Sequence, residues 1–401
     1  MRRVLVTGLG PVSSIGIGVR PFAAGLRAGR SGISPIASFD AEGFPHRHAG
    51  EVPDFDPGAL LRTLDVGQWG RSSLFAAAAA RLAVTDADLD LAAIDADRAG
   101  AAIGTTSGES VAMEQLTAQR VTGGFAAMDA VALRQLPAAR LAHAVSAELG
   151  LRGESVTIAT ACSASNYAIG YAYDLIATGD ADVMLAGGAD SVCRWAHAGF
   201  YRLGALAERE CRPFDRDRGG ILTGEGGAVL LLESAEHAQA RGARGYAEVR
   251  GYGHNCDAAH PVAPERSSIA ECIRAAHRNA AVSADEVDYV CAHGTGTQAN
   301  DAVEIAALRD VFDGRPPPVS SVKSMIGHTM GAASGFGAIA SVLAIEQGFL
   351  PPTINLTHPD QSLGDIDFVA NEARPAKIRV AQNNGFAFGG NNAIVVFGTA
   401  A

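Results

Sequence analysis

The sequence predicts an α/β fold in which layers of helix and sheet are built from two halves of similar design. Three observations lead there. The first is a recurring order of elements. AGAAIGTTSG (99–108) reads as a short apolar strand ending in a small-residue loop. SVTIATACSASNYAIGYAYDLIATGDADVMLAGGAD (155–190) reads as strand, small-residue helix and strand, and GEGGAVLLLES (224–234) as glycines followed by a strand. The same order returns in VDYVCAHGTGT (287–297), in PPVSSVKSMIGHTMGAASGFGAIASVLAIEQGFLPPTI (317–354) and in FAFGGNNAIVVFG (386–398). The second observation is that VTIAT, VMLAG and AVLLL are continuous apolar runs, as strands covered on both faces require. The third is that the helices predicted at 163–178 and 332–347 carry Ala, Gly and Ser along most of their length. Such helices can approach one another closely, between two sheets. The repeat divides the chain into an N-terminal half, 1–238, and a C-terminal half, 239–401. No flexible linker separates them, and GRPPPV (314–319) reads as a loop before a strand.

Composition narrows the function classes. With 48% hydrophobic and 19% charged residues, the chain of 401 has the profile of a globular protein with a sizeable core. No run reaches the roughly 18 apolar residues of a spanning helix, so a membrane is not an expected partner. The opening MRRVLVTGLGPVSS has too short an apolar run for a signal peptide, which predicts a cytoplasmic protein. Six widely spaced cysteines without a CxxC pair predict free thiols, neither a disulfide scaffold nor a zinc site. A net charge of −11 without a basic block argues against nucleic acid. Of the 32 basic residues only Lys323 and Lys377 are lysines, so a lysine at 323 calls for a reason.

The N-terminal VTGLGPVSS looks at first like a dinucleotide-binding turn. That fingerprint needs GxGxxG entering a helix and an acidic residue about 20 positions on at a strand end. Here the third glycine is misplaced, Pro11 interrupts the turn, and Asp40 falls in a loop-like segment. The chemistry is expected elsewhere.

Cys162, in TACSASN, falls where a strand ends and a helix begins. A helix N-terminus offers free N–H groups and partial positive charge, which favour thiolate and can hold an oxyanion. The second half offers partners at equivalent loops. His293 ends the strand of VDYVCA and opens HGTGT, whose glycines and hydroxyls allow close approach of backbone to a ligand. His328 follows Lys323 by five residues in VKSMIGHTMGAASG. Two histidines and a rare lysine, at strand ends that the duplication brings near Cys162, form a candidate site.

TACSASN, AHGTGTQANDAVE, SVKSMIGHTMGAASG and GFAFGGNN, in this order, resemble the motifs of the β-ketoacyl-[acyl-carrier-protein] synthases, most of all the synthase II type with its thiolase-like fold. The resemblance runs from VTGLGPVSS to NNAIVVFG. It implies decarboxylative Claisen condensation of an acyl thioester with malonyl-[acyl-carrier protein], in fatty acid or type II polyketide biosynthesis, polyenes included. Cys162 matches the nucleophile that carries the acyl group. His293 and His328 match the pair that promotes decarboxylation and stabilises the enolate. Lys323 matches their electrostatic support, and Glu304 an acidic residue that pairs with His293. Phe388 matches a gating aromatic whose N–H joins that of Cys162 in an oxyanion hole. Neither a metal nor a redox cofactor is implied.

The chain departs from the pattern at Ala387 and Asn391, where the synthase II motif usually has Gly and Thr. Ser107 stands where a bulkier apolar pocket residue is common, and it is expected to line the acyl pocket together with Trp195, Phe200 and Tyr201. The family's acidic carrier protein calls for a local basic patch, for which Arg62 and Arg71 are the candidates. The resemblance also implies a dimer, either of identical chains or with a chain-length-factor-like subunit. A non-catalytic chain-length subunit would lack the nucleophile, which is present here. A coenzyme A-dependent thiolase would want a second cysteine on the glycine loop, and GFAFGGNN has none. A cysteine hydrolase would leave Lys323 and one histidine without a task.

Overall fold

In the computed structural model, which describes residues 1–400, the glycines of VTGLGPVSS lie inside a ten-residue strand, β1 (Val4–Ser13), and form no turn. Helix α1 (Arg71–Asp86) packs across it so closely that a Cβ on Gly8 or Gly10 would fall 2.2 and 1.8 Å from the carbonyl oxygens of Ala83 and Ala79. These glycines exist for helix-on-strand contact, which is why they imitate a nucleotide loop.

The N-terminal half continues with β2 (Ala99–Gly104), helix α2 (Arg140–Leu149), β3 (Ser155–Ile158), helix α3 (Ala164–Thr178), β4 (Val183–Asp190), helix α4 (Arg194–Arg202) and β5 (Gly226–Ser234). The C-terminal half holds β6 (Ala247–Cys256), helix α5 (Arg266–Ala280), β7 (Tyr289–Cys291), helix α6 (Gln298–Val311), β8 (Val319–Ser320), helix α7 (Ala333–Gln347), β9 (Val380–Phe386) and β10 (Asn391–Gly398). The strands pair in the order β3-β2-β4-β5-β1 in one half and β8-β7-β9-β10-β6 in the other. The parallel and antiparallel pairings also correspond, strand for strand.

Two sheets were expected, and the pairing joins them. β1 and β6 run antiparallel through Val4↔Val249, Leu5↔Glu248 and Val6↔Ala247, which makes one continuous sheet. The sheet wraps around α3 and α7, and both helices touch strands of each half. Helices α1 and α2 cover the outer face of the first half, and α5 with α6 that of the second. The result is the layered α-β-α-β-α body expected from the repeat. β9 was not legible as a strand because VAQNNGF is polar. Its Gln382, Asn383 and Asn384 are buried and bonded within the protein: the Asn383 amide N–H groups donate to Asn166 and the Ser334 carbonyl, Gln382 bonds His277 and Asn384, and Asn384 donates to Glu304, while the Asn383 Oδ1 finds no partner among the described residues.

The two central helices are alike in detail. They are the same 169 positions apart at both ends (333 − 164 and 347 − 178). Each ends on a left-handed glycine, Gly179 or Gly348, and each opens from a 3-10 turn whose first residue has positive φ: Ala161 at 52° and Met330 at 53°. α7 is buried on every side from Ala333 to Ile345, so its lack of an amphipathic pattern fits its place in the middle layer. Among the described residues no helix is long and apolar enough to cross a membrane.

Two glycines give the packing argument a test. Gly10→Ala would drive a methyl into the backbone of α1, so it is expected to cost about 3 kcal/mol or more. Gly199→Ala lies in exposed α4 with no atom within 4 Å of the added methyl. It is expected to raise stability by about 0.5–1 kcal/mol, because alanine loses less backbone entropy. Urea unfolding midpoints of the two variants should move in opposite directions.

Candidate active site

The chain after β3 reaches α3 through a strained turn. Ala161 holds a left-handed φ that a residue with a Cβ adopts only where its surroundings fix it. The turn sets Cys162 at the mouth of α3, 5% exposed. Its own N–H and the N–H of Phe388 lie near the sulfur and favour negative charge on it. Phe388 rides on the tight turn between β9 and β10, where Gly389 and Gly390 have φ of 88° and 80°, a region that excludes most side chains. The Gly390 N–H closes this turn on the Ala387 carbonyl, so the departure at Ala387 leaves a well-formed turn.

Helix position was expected to favour thiolate at Cys162. Burial outweighs it and pushes the thiol up to about 11; the Lys323 charge opposes this, and the Asp190 carboxylate adds to it. The resting group is therefore a neutral thiol. Two N–H groups stand ready for negative charge that forms during reaction.

His293 follows β7, and Lys323 opens the single helical turn Lys323–Ile326. The Lys323 ammonium donates to the His293 carbonyl at 2.6 Å and faces its Nδ1 at 3.5 Å. Glu304, on α6, was expected to pair with His293. It does so through backbone: its carboxylate accepts the N–H groups of His293 and Gly294, both at 2.8 Å, and the Asn384 amide at 2.9 Å. It thus fixes the loop and leaves the imidazole free. His328 Nδ1 accepts the Met330 N–H at 3.1 Å, which puts the ring proton on Nε2. Burial, with the Lys323 charge second, holds both histidines well below the ordinary imidazole range, so both rings are neutral. The rings meet edge to face with centroids 5.6 Å apart.

These groups line a cavity of about 430 Å³ with Cys162, His293 and His328 together on its wall. Phe200 stands between the two sides, its ring 6.4 Å from His328 and 5.8 Å from Phe388. A thiol facing two N–H donors suits acyl transfer, and two neutral imidazoles suit donation to an enolate oxygen.

Other expectations fail. Ser107 does not line this cavity; its N–H faces Asp190 at 3.4 Å. Trp195 is 63% exposed on the first turn of α4, its backbone N–H on Glu114, away from the cavity wall. Tyr201 packs edge-on against Phe44 instead. Arg71 turns inward. It forms a two-pronged ion pair with the fully buried Glu225 and lies over the Phe75 ring, so its charge is already matched. Arg62 is exposed and remains available. Reading the sequence alone missed Met330, Asn384 and Asp190. Only Asp190 gave a signal, as the one charged residue of an apolar strand.

The family model described as "Beta-ketoacyl synthase, N-terminal domain" matches residues 1–238, and "Beta-ketoacyl synthase, C-terminal domain" matches 246–357. The chain belongs to the β-ketoacyl synthase family. It is 38% identical to the 3-oxoacyl-[acyl-carrier-protein] synthase 2 of Coxiella burnetii, over 98% of each chain. It is 39% identical to nodulation protein E of Rhizobium meliloti, over 99% of each. Among solved structures, one titled "The ishigamide ketosynthase/chain length factor" matches with a TM-score of 0.98 and 51% identity, covering both chains fully. A type II polyketide ketosynthase in complex with its acyl-carrier protein and bound to the hexaketide matches at 0.92 and 32%, again over both full chains. The thiolase-like fold expected of this family is the fold observed, and the chain is a condensing acyltransferase.

The balance of charge on the thiol can be measured. Alkylation of Cys162 by iodoacetamide, followed by peptide mapping, is expected to accelerate steadily from pH 7 to 9, because burial holds the thiol protonated across that range. Lys323→Met removes the charge that lowers the thiol pKa, so alkylation should slow at every pH in the range, by about tenfold for each unit that the pKa rises. A pH-independent rate in the parent protein would contradict the neutral resting thiol.

Proposed function

We propose that this ketosynthase builds β-ketoacyl thioesters on an acyl-carrier protein with the groups gathered around Cys162. The observation that carries this reading is the pairing across one cavity of two N–H donors on the Cys162 sulfur with two neutral, buried imidazoles. In the first half-reaction the Cys162 sulfur attacks the carbonyl of an acyl thioester. The N–H groups of Cys162 and Phe388 hold the oxyanion, and the carrier thiol leaves with the proton that the cysteine gives up. In the second, the thioester oxygen of malonyl-carrier protein accepts from His293 and His328. The bond to the carboxylate breaks, carbon dioxide leaves, and its electron pair becomes the enolate. The enolate carbon attacks the Cys162 thioester, and the sulfur departs and is reprotonated. Lys323 holds His293 in place, and Glu304 holds the loop. Phe388 gates the cavity with Phe200. No step calls for a metal or redox cofactor.

In this reading residues 1–238 supply the nucleophile and residues 239–401 supply the histidines and lysine, and the enzyme works in the cytoplasm. Arg62 contributes to carrier docking. The identity of 51% to a chain of the ishigamide ketosynthase/chain length factor exceeds the 36–39% to curated relatives such as the synthase 2 enzymes. This favours type II polyketide assembly, as the catalytic subunit of a heterodimer with a chain-length-factor-like partner, over fatty acid elongation by a homodimer.

Intact-protein mass spectrometry with a panel of acyl-carrier proteins of graded chain length tests the loading step. The parent chain should gain the mass of the acyl group and Cys162→Ala should gain none; a stable adduct on the variant would assign another nucleophile. The half-reactions should also separate. His293→Ala and His328→Ala are each expected to slow malonyl decarboxylation about 10²–10³-fold, as loss of one oxyanion donor does, with far smaller effects on acyl loading. Radiolabelled carbon dioxide release and acyl-enzyme formation, measured side by side, give that comparison.

A further inference from the structure

The duplication that places Cys162 at the mouth of α3 places Gly331 at the mouth of α7, again 169 positions on (331 − 162). The N–H that corresponds to that of Cys162 is therefore the N–H of Gly331. It does not face a cavity. It donates at 2.7 Å to a carboxylate oxygen of Asp190, the last residue of β4, which is 2% exposed. The same oxygen accepts the Thr106 N–H at 2.7 Å, and the other accepts the Thr105 hydroxyl at 2.7 Å and the Ser107 N–H at 3.4 Å. A side chain at 331 would collide, its Cβ lying 2.5 Å from the Thr105 Cα and 2.7 Å from Asp190 itself. The second hole is thus filled from within. Burial pushes the Asp190 carboxyl up to about 6, against the pull of its donors.

Gly331 is held at its other end too, because the Ser165 hydroxyl donates to its carbonyl at 2.5 Å. Just before it stands Met330 with its left-handed φ of 53°, and the Met330 N–H is the donor to His328 Nδ1. A non-glycine residue keeps such a φ only where the surroundings over-determine it. We propose that Asp190 is a positioning residue for His328. Its carboxylate anchors Gly331, which keeps the Met330 turn strained, which aims the Met330 N–H at Nδ1 and leaves the His328 proton on Nε2 facing the substrate. Without the carboxylate, the Gly331 and Thr106 N–H groups become buried orphans and the turn relaxes toward negative φ. The imidazole then loses the bond that fixes its tautomer.

The catalytic consequence rests on His328 being an enolate donor, and the test separates the two ideas. Two-bond ¹H–¹⁵N spectra of histidine-labelled protein at pH 7, assigned with His328→Ala, report the tautomer directly. The parent should show His328 as the Nε2–H form, and Asp190→Ala a mixture of tautomers. In the same variant the ratio of malonyl decarboxylation to acyl loading should fall about 10–100-fold, the scale of a displaced catalytic group. Asp190→Asn should restore most of both, because the amide oxygen still accepts from Gly331 and Thr106 while its nitrogen donates to the Thr105 hydroxyl, and only the long Ser107 bond is lost. An unchanged tautomer in Asp190→Ala overturns the proposal, as does an equal loss of both half-reactions. If His328→Ala leaves decarboxylation intact, the role of His328 is wrong and the tautomer alone decides that of Asp190. If Asp190→Ala does not fold, Thr105→Val carries the test. It removes one donor from the carboxylate and should shift tautomer and ratio in the same direction by less; no shift in either overturns the proposal.

Discussion

The structure depends on how closely two small-residue helices and β4 approach one another at its centre. A Cβ on Gly188 would lie 2.4 Å from the Ser165 hydroxyl of α3 and 2.7 Å from the Gly331 carbonyl at the mouth of α7. At that distance there is room for backbone and little else, which is why α3 and α7 are written in alanine, glycine and serine. The approach has a chemical product. It brings the N-termini of both helices, with their free N–H groups, to the middle of the molecule. Residues just ahead of them, Cys162 and His328, are then buried and presented to one cavity. Dispersion and burial hold the arrangement in the central cluster, where Ile169, Ile176, Phe336 and Leu343 fill the space that the small residues leave.

Burial also sets the electrostatics. A thiol and two imidazoles line one cavity, with a buried ammonium held against the His293 carbonyl, and desolvation penalises the charged form of each. Cys162 is pushed up, and both histidines and Lys323 are pushed down. Burial lowers Lys323, and the neighbouring Cys291 and the Glu304 carboxylate, which accepts the His293 N–H, oppose this. That one cation works in two directions. It eases formation of thiolate, and it keeps the neighbouring imidazoles neutral and able to donate. A carboxylate placed on the imidazole itself would favour imidazolium, so the grip of Glu304 on backbone N–H groups is the arrangement that preserves neutral donors.

Much of this was legible in the sequence, because the repeat and the four motifs are local patterns. Cys162, His293, His328, Lys323 and Phe388 meet at one site as their motifs implied. What was not legible depends on contacts far apart in the chain. Arg71 read as a surface arginine because its partner, Glu225, lies 154 residues on. β9 read as loop because its polar side chains find partners from Asn166 and His277, which only the folded layers bring near. The thiolate expectation failed for a related reason. A helix N-terminus is visible in a sequence, and the depth at which the fold buries it is not.

The duplication explains why one chain has one site. Each half presents an N–H at the mouth of its central helix, and the loop after the corresponding strand of the other half reaches toward it. After β7 that loop carries His293 and reaches the hole of Cys162, which opens on a cavity. After β2 it carries Thr105 and Thr106, and these reach the hole of Gly331 only to donate to Asp190. Both holes are satisfied electrostatically, one by a carboxylate that is part of the protein and the other by the thiol and the charge that develops during acyl transfer. A carboxylate at the first hole would block the reaction, and an empty second hole would leave buried N–H groups unpaired, at a cost of about 1–3 kcal/mol each. The cysteine at one mouth and the glycine at the equivalent one thus separate the two holes: the first opens on the cavity, and the second is closed by Asp190 beside the turn that holds His328.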